Sequence, residues 1–306
     1  MKNIIKPVPV DLLEKELTKE KMIRRTNYGD NELYVVTAQE APNTMQEIGR
    51  LRELSFRAAG GGTGKPADID DYDTNETPYK QLLAWNNKDK EILGGYRFIN
   101  LQELDFSVRT NLKLATQGLF KFSDKFIKDY LPYTIELGRS FVKPEFQASG
   151  ASRKTLFALD NLWDGLGALI VLNPDVKYFF GKVTMYESYD KYARDLVLCF
   201  LRTQFPDPEK LVYPENPLDF NYPKEELCPV FPKDNSYEEN YKILSKMVRG
   251  RNENIPPLIN SYMNLSSTLK SFGTAINTHF GRVEETGILL NINDIYDRKK
   301  ERHLKF

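Results

Sequence analysis

Tyr133-Thr134-Ile135-Glu136-Leu137-Gly138-Arg139-Ser140-Phe141-Val142 is the stretch whose reading decides the fold. Ile135, Leu137, Phe141 and Val142 favour a strand, and no proline interrupts them. A buried strand normally carries no charge in its middle, yet this one carries an acid and an arginine. After Lys143-Pro144 comes the small-residue turn of 147–154, where a helix of apolar period begins. The order strand, charged pair, Gly/Ser turn, helix start can hold an anionic cofactor arm beside a reacting group.

Glu136 and Arg139 lie three apart, so on a flat strand they would face opposite sides. Gly138 between them predicts a bulge or splay that re-aims the arginine. The pair then has two meanings. It is a structural ion pair within the sheet, or a carboxylate poised as general base beside an arginine that holds the acid or the substrate. Burial raises the pKa of a glutamate, which suits proton uptake near neutrality. In Gln147-x-x-Gly150-x-Ser152, the free amides and dipole of a helix start favour an anion, and Arg153 and Lys154 add positive charge. A plain helix cap is the alternative there.

Downstream, Leu156, Leu159, Trp163, Leu166 and Ile170 give a helix over 155–171 one apolar face, stopped by Asn173-Pro174-Asp175. A strand is expected over 178–185, an amphipathic helix over 189–203 and another over 237–248. Residues 205–236, rich in proline and acid, form an irregular insertion. Ile255-Pro256-Pro257-Leu258 opens a last unit that closes in a strand over 286–292.

Upstream, the pattern predicts a helix over 10–22, a first strand over 32–37 and a helix to about 58, opened by a Thr44/Glu47 capping box. Arg52 and Phe56 share one face of that helix. Gly60-Gly61-Gly62-Thr63-Gly64-Lys65 fails as a phosphate loop: Ala59 stands where the first glycine belongs, and Pro66 where a hydroxyl residue belongs. It reads as a mobile loop over a site. The run Asp68 to Asp73 is ordinarily a solvated loop. Its functional meaning is that two carboxylates turn inward to meet arginines. Residues 79–85 and 91–99 read as a hairpin, with Arg97 a second misplaced charge, and 117–131 holds a short helix with Lys121, Lys125 and Lys128 on its polar side. Strands, helices and tight hairpins together predict an α+β fold: one three-layer domain over 1–306, with a mixed, mostly antiparallel sheet covered by helices on both faces.

Among 306 residues, 41% are hydrophobic and 12% aromatic, enough for a sizeable core. A formal net charge of zero argues against nucleic-acid binding. Cys199 reads as core packing, and nothing suggests a disulfide framework or a zinc site beside His279 and His303. His279 is a minor candidate base. No secretory h-region is apparent at the N-terminus, and the longest apolar run, 165–172, is too short to span a bilayer. A soluble cytoplasmic protein is expected, with peripheral contact to the inner membrane left open.

The strand followed by Gln147-x-x-Gly150-x-Ser152 and a helix resembles the acyl-cofactor motif of GNAT-fold acyltransferases, with Ser152 in place of the usual final Gly or Ala. Over most of the chain, Glu136 to Val142, Leu162-Trp163-Asp164-Gly165-Leu166, Tyr178-Phe179-Phe180-Gly181 and Pro256-Pro257-Leu258 resemble the bacterial N-acyltransferases that start ornithine and glycine lipids, many of them labelled hemolysins. The whole run is most similar to the Bacteroides-type branch that acylates glycine. Arg52 and Phe56, Asp70 and Asp73, Arg97, then Glu136 and Arg139 also match the pattern of acyl-homoserine-lactone synthases. Gly60 to Gly64 fills the place where those synthases carry an aromatic.

The resemblance implies transfer of a fatty acyl group from an acyl carrier protein thioester, with coenzyme A as the alternative donor, to an amino-acid amine. No permanent cofactor is implied. Glu136 would take the amine proton. The phosphopantetheine phosphate would lie at Gln147, Gly150, Ser152 and Arg153, and Arg97 and Arg139 compete for the substrate carboxylate. Lys121, Lys125, Lys128, Lys143, Arg153 and Lys154 would meet an acidic carrier protein. The alternatives are a lactone-type synthase and a non-catalytic protein that binds a membrane or carrier.

Overall fold

A computed structural model describes residues 1–104, 113–147 and 153–304, with backbone alone at 153–156. The strands are β1 (Met22–Arg25), β2 (Glu32–Val36), β3 (Lys80–Asn86), β4 (Glu91–Asn100), β5 (Phe120–Phe122), β6 (Thr134–Val142), β7 (Tyr178–Met185), β8 (Val212–Pro214), β9 (Lys270–Asn277) and β10 (Val283–Asn291). The helices are α1 (Val10–Glu16), α2 (Pro42–Ala58), α3 (Asp71–Thr74), α4 (Arg153–Leu172), α5 (Lys191–Gln204), α6 (Lys224–Leu227), α7 (Tyr237–Arg249), α8 (Pro257–Met263) and α9 (Asp297–His303).

An eight-stranded sheet runs in the order β1-β2-β3-β4-β6-β7-β10-β9. Its neighbours are antiparallel except β6 and β7, which run parallel. The expected mixed sheet between two helical layers is therefore observed. On one face, Leu82, Phe98, Ile135 and Phe179 pack against Leu162, Leu166 and Leu169 of α4 and against α5. On the other, Leu83, Ile92 and Phe141 meet Ile48, Leu51 and Phe56 of α2. Ile99, Phe180 and Leu289 continue that second face into an aromatic cluster with Phe120, Phe126 and Phe272. Each such side chain contributes about 1.5–3 kcal/mol when fully buried, so the alternation of faces along the strands fixes the register.

Several expectations are corrected. The first helix stops at Glu16, and Met22 opens an edge strand paired with β2. Thr44 and Glu47 form no capping box. The free amides of α2 are met from outside, where the Glu16 carboxylate accepts from Asn43 N at 3.0 Å and Thr44 N at 2.7 Å. Glu47 instead accepts from Val8 N and pairs with Arg50. Residues 117–131 hold a short helix, but one that leaves Lys121 outside it, on a strand. Phe120–Phe122 pairs with β8, and Phe126–Tyr130 is a separate helical turn, because both bury phenylalanines in the same aromatic cluster. The insertion at 205–236 holds β8 and α6, and its Cys228, just past α6, is disulfide-bonded to Cys199 of α5, with Cα atoms 5.0 Å apart. Two cysteines 29 residues apart give no framework signal in the sequence; their pairing depends on the insertion folding back over α5. No described helix is long and apolar enough to cross a membrane.

Candidate active site

The parallel pairing of β6 with β7 covers Thr134 to Leu137 against Tyr178 to Gly181 and stops there. Gly181 is needed at that last contact, since a Cβ would come within 2.7 Å of the Leu137 carbonyl oxygen. Beyond it, β7 continues along β10 and β6 continues along β4, so the two strands part. Along β4 the register also slips: Arg97 faces Gly138, but Gly95 faces Phe141. One extra residue in β6 is therefore accommodated opposite Tyr96. Arg139 takes it up at φ 51°, in the left-handed region. The bulge expected at Gly138 is present, centred one residue later. It turns Arg139 to the α2 side, where Glu136 lies, and puts Phe141 into the α2-side core although Ile135 and Leu137 face α4.

A cavity opens where the strands part. Its polar wall includes Arg97, Glu136, Arg139, Lys182 and Glu285, closed by Phe56 and Phe280. Its apolar wall, on the α4 side, comprises Tyr96, Leu159, Leu162, Trp163, Leu166, Leu258, Tyr262 and Ile288.

Glu136 is 1% exposed. Its carboxylate accepts from the Tyr79 hydroxyl at 2.8 Å and from Thr116 N at 2.9 Å. Burial pushes its pKa up, against the opposing pull of Tyr79, Lys182 and Thr116. A buried carboxylate with a raised pKa takes up a proton more readily than a solvated one. Glu136 and Arg139 form no ion pair with each other. Arg139 pairs with Asp68 at 2.8 Å and lies near Asp70 at 3.7 Å, and its guanidinium stacks 4.2 Å over the Phe280 ring.

The acidic run does turn inward. Asp70 pairs with Arg97 at 2.6 Å, while Asp73 lies 3.2 Å from both Arg97 and Arg52. Arg52 and Asp73 are fully buried and do not line the cavity; Arg52 also bonds Gln81. Asp73 is held well below the usual carboxylate range. Burial opposes this, but Arg52 and Arg97 outweigh it. Asp70 caps α3 by accepting from Tyr72 N at 3.0 Å.

The glycine-rich loop, expected to be mobile, is strapped down: Glu53 accepts from Thr63 N at 3.0 Å and Gly64 N at 2.7 Å. Gly61 sits against Gly281, whose Cβ would lie 2.9 Å from the Gly61 Cα. The loop thereby braces Phe280 from behind. His279 is exposed beside it and does not line the cavity. Gln147 bonds the Val142 carbonyl. Gly150 and Ser152 lie outside the described residues, and Arg153 is described in backbone alone as the first residue of α4.

A GNAT acetyltransferase domain matches residues 51–156. The glycine N(alpha)-acyltransferase of Bacteroides thetaiotaomicron is 56% identical over 305 residues, spanning 100% of this chain and 90% of that one. That of Phocaeicola vulgatus is 54% identical over 305 residues, spanning 100% of this chain and 93% of its own. This chain belongs to the glycine N(alpha)-acyltransferase family.

It is a GNAT-fold acyltransferase, and the cavity between β6 and β7 is the candidate place for its chemistry. The solved structure of a CoA-dependent acyl-homoserine lactone synthase, BjaI, is 10% identical, covers 89% of this chain and 86% of that chain, and has a TM-score of 0.40. In this N-acyltransferase the sequence points to Glu136, Arg97, Arg139 and Phe56 on the cavity wall. It does not single out Tyr79, Lys182, Phe280 or Glu285. Lys182 and Glu285 sit in strands where a lone charge reads as an outward-facing residue; only the cross-strand pair, 2.9 Å apart, marks them.

Proposed function

We propose that the enzyme moves a fatty acyl group from an acyl carrier protein thioester to the amine of glycine, an early step in making an aminolipid. The observation that carries this reading is one gap in one sheet with two unlike walls. A buried proton acceptor and guanidinium groups stand on one side, and an apolar chamber stands on the other. The names of the two relatives support glycine as acceptor.

In the proposed reaction Glu136 takes a proton from the glycine ammonium, through water or directly. The freed amine attacks the thioester carbonyl, an N–C bond forms and the C–S bond breaks. The proton held by Glu136 goes to the departing thiolate, and the attacking nitrogen releases its second proton to solvent water as the amide forms. Backbone amides of β6 past Leu137, with no β7 partner, suit the developing oxyanion. Arg139, partly exposed and on the cavity wall, is better placed for the glycine carboxylate than Arg97, which is 2% exposed and engaged by Asp70 and Asp73. Asp70 reaches both arginines and Asp73 holds Arg97, with Arg52 fixing Asp73 from behind, and Phe56 closes the wall. The acyl chain would lie among Leu162, Trp163, Leu166 and Tyr262.

On the resemblance, the donor's phosphate is proposed to bind Gln147, Gly150, Ser152 and Arg153, and the carrier to meet Lys121, Lys125, Lys128, Lys143, Arg153 and Lys154. Of these, Lys121, Lys125 and Lys143 each already have a carboxylate partner within the chain. The enzyme is proposed to act in the cytoplasm, peripheral to the inner membrane that receives its amphiphilic product.

Incubation with an acyl carrier thioester and each amino acid, followed by assay of free carrier thiol and mass spectrometry of the product, tests this. Thiol release with glycine and an N-acylglycine mass are expected. Absence of release with every amino acid would overturn the reading.

A further inference from the structure

We infer that Glu285 is the second carboxylate of the acceptor site, receiving the substrate ammonium before Glu136 takes its proton. This rests on the proposed acylation of an amino-acid amine and adds the group that binds the amine.

Glu285 stands on β10 opposite Thr184 of β7, at the edge of the gap, and it lines the cavity while only 4% exposed. Its two bonds fall on the same oxygen: Lys182 Nζ lies 2.9 Å and Asn277 Nδ2 3.1 Å from Oε2. Oε1 accepts no hydrogen bond among the described residues. At Glu136, by contrast, each oxygen already accepts one bond. An ammonium has three protons to place and no lone pair to offer. The Glu285 Oε1 atom is the open acceptor for one of them.

The two glutamates are also tuned apart. Burial pushes both up, but at Glu285 the nearby Lys182, with Arg139 and Asn277, more than reverses this, so it stays below its usual value while Glu136 stays above. A carboxylate that remains charged suits holding a cation, and one that protonates more readily suits accepting its proton.

Steady-state kinetics on the full chain test this. For Glu285→Gln, the KM for glycine should rise about 10- to 100-fold, the scale of losing one charge-assisted contact. The KM for the acyl donor should stay within about twofold, and Glu285→Asp should recover part of the loss. Glu136→Gln should show the opposite split, a fall in kcat with little change in the glycine KM. A glycine KM within about twofold of wild type in Glu285→Gln overturns the inference. If that variant does not fold, Asn277→Ala is read instead: a rise of about threefold in the glycine KM supports the role, and no rise overturns it. Wild-type enzyme inert toward every amino acid would overturn the acylation reading itself, whereas active wild type with an unaffected Glu285→Gln overturns this inference alone.

Discussion

The two walls of the β6–β7 gap are built on opposite principles. On the α2 side, charges face charges: Arg52, Arg97 and Arg139 each meet a carboxylate of Asp68, Asp70 or Asp73, at 2.6–3.2 Å for the closest contacts. On the α4 side, leucines, Trp163 and Tyr262 line an apolar chamber. A polar wall is rigid because each ion pair would leave a buried charge behind if it opened. An apolar wall holds its shape by packing alone and so adapts in steps of a methylene. The difference assigns precision to the amine side and tolerance to the chain side.

Breaking the polar wall should have the largest effect. Asp73→Ala leaves the buried Arg52 without its carboxylate and Arg97 with Asp70 alone, and should cost about 3–5 kcal/mol, read as the shift in urea midpoint times the m-value. A loss below about 1 kcal/mol would mean that the wall is not held by its ion pairs. Next, Glu136→Gln should lower kcat by about 10²-fold with the fold retained, measured by thiol release. Near-normal turnover would make Glu136 a structural residue and shift the chemistry elsewhere.

On the apolar wall the changes should be graded. Leu162→Trp should shift preference toward shorter acyl chains, by about fourfold in kcat/KM per methylene that no longer fits. Unchanged chain preference would place the acyl group outside this chamber.

The smallest effect concerns stability against pH. Glu136 has a raised pKa in the folded chain, so folding binds a proton that the unfolded chain releases at lower pH. Native stability contributed by the protonated form is full below the ordinary carboxylate range and is lost as pH rises through the raised value. Glu136→Gln should therefore melt about 2 °C higher than wild type at pH 8, with the gap closing toward pH 4. A variant less stable at pH 8 would show that the carboxylate is a net support to the fold.

Much of this contrast was legible in the residues. Glu136, Arg139 and Arg97 stood out because charge inside an apolar strand needs a partner, and Gly138 announced the irregular backbone. The 80–100 hairpin was legible from its Asn-Asn-Lys-Asp turn, and α4 from its apolar spacing. What stayed hidden was contact between distant segments. Glu16 capping α2, Glu53 strapping the glycine loop, and Lys182 meeting Glu285 across two strands leave no local pattern. The strand Lys270–Asn277 was missed for a related reason: Gly273 at φ 87° breaks its alternation.

The added residue at Arg139 also makes this strand intolerant of changes in length. It separates Leu137, which faces one helical layer, from Phe141, which faces the other. Deleting a single codon there would send Phe141 and everything after it to the wrong side of the sheet. A homologous chain that keeps the site is expected to vary its side chains along this segment while keeping the spacing between Glu136 and Phe141.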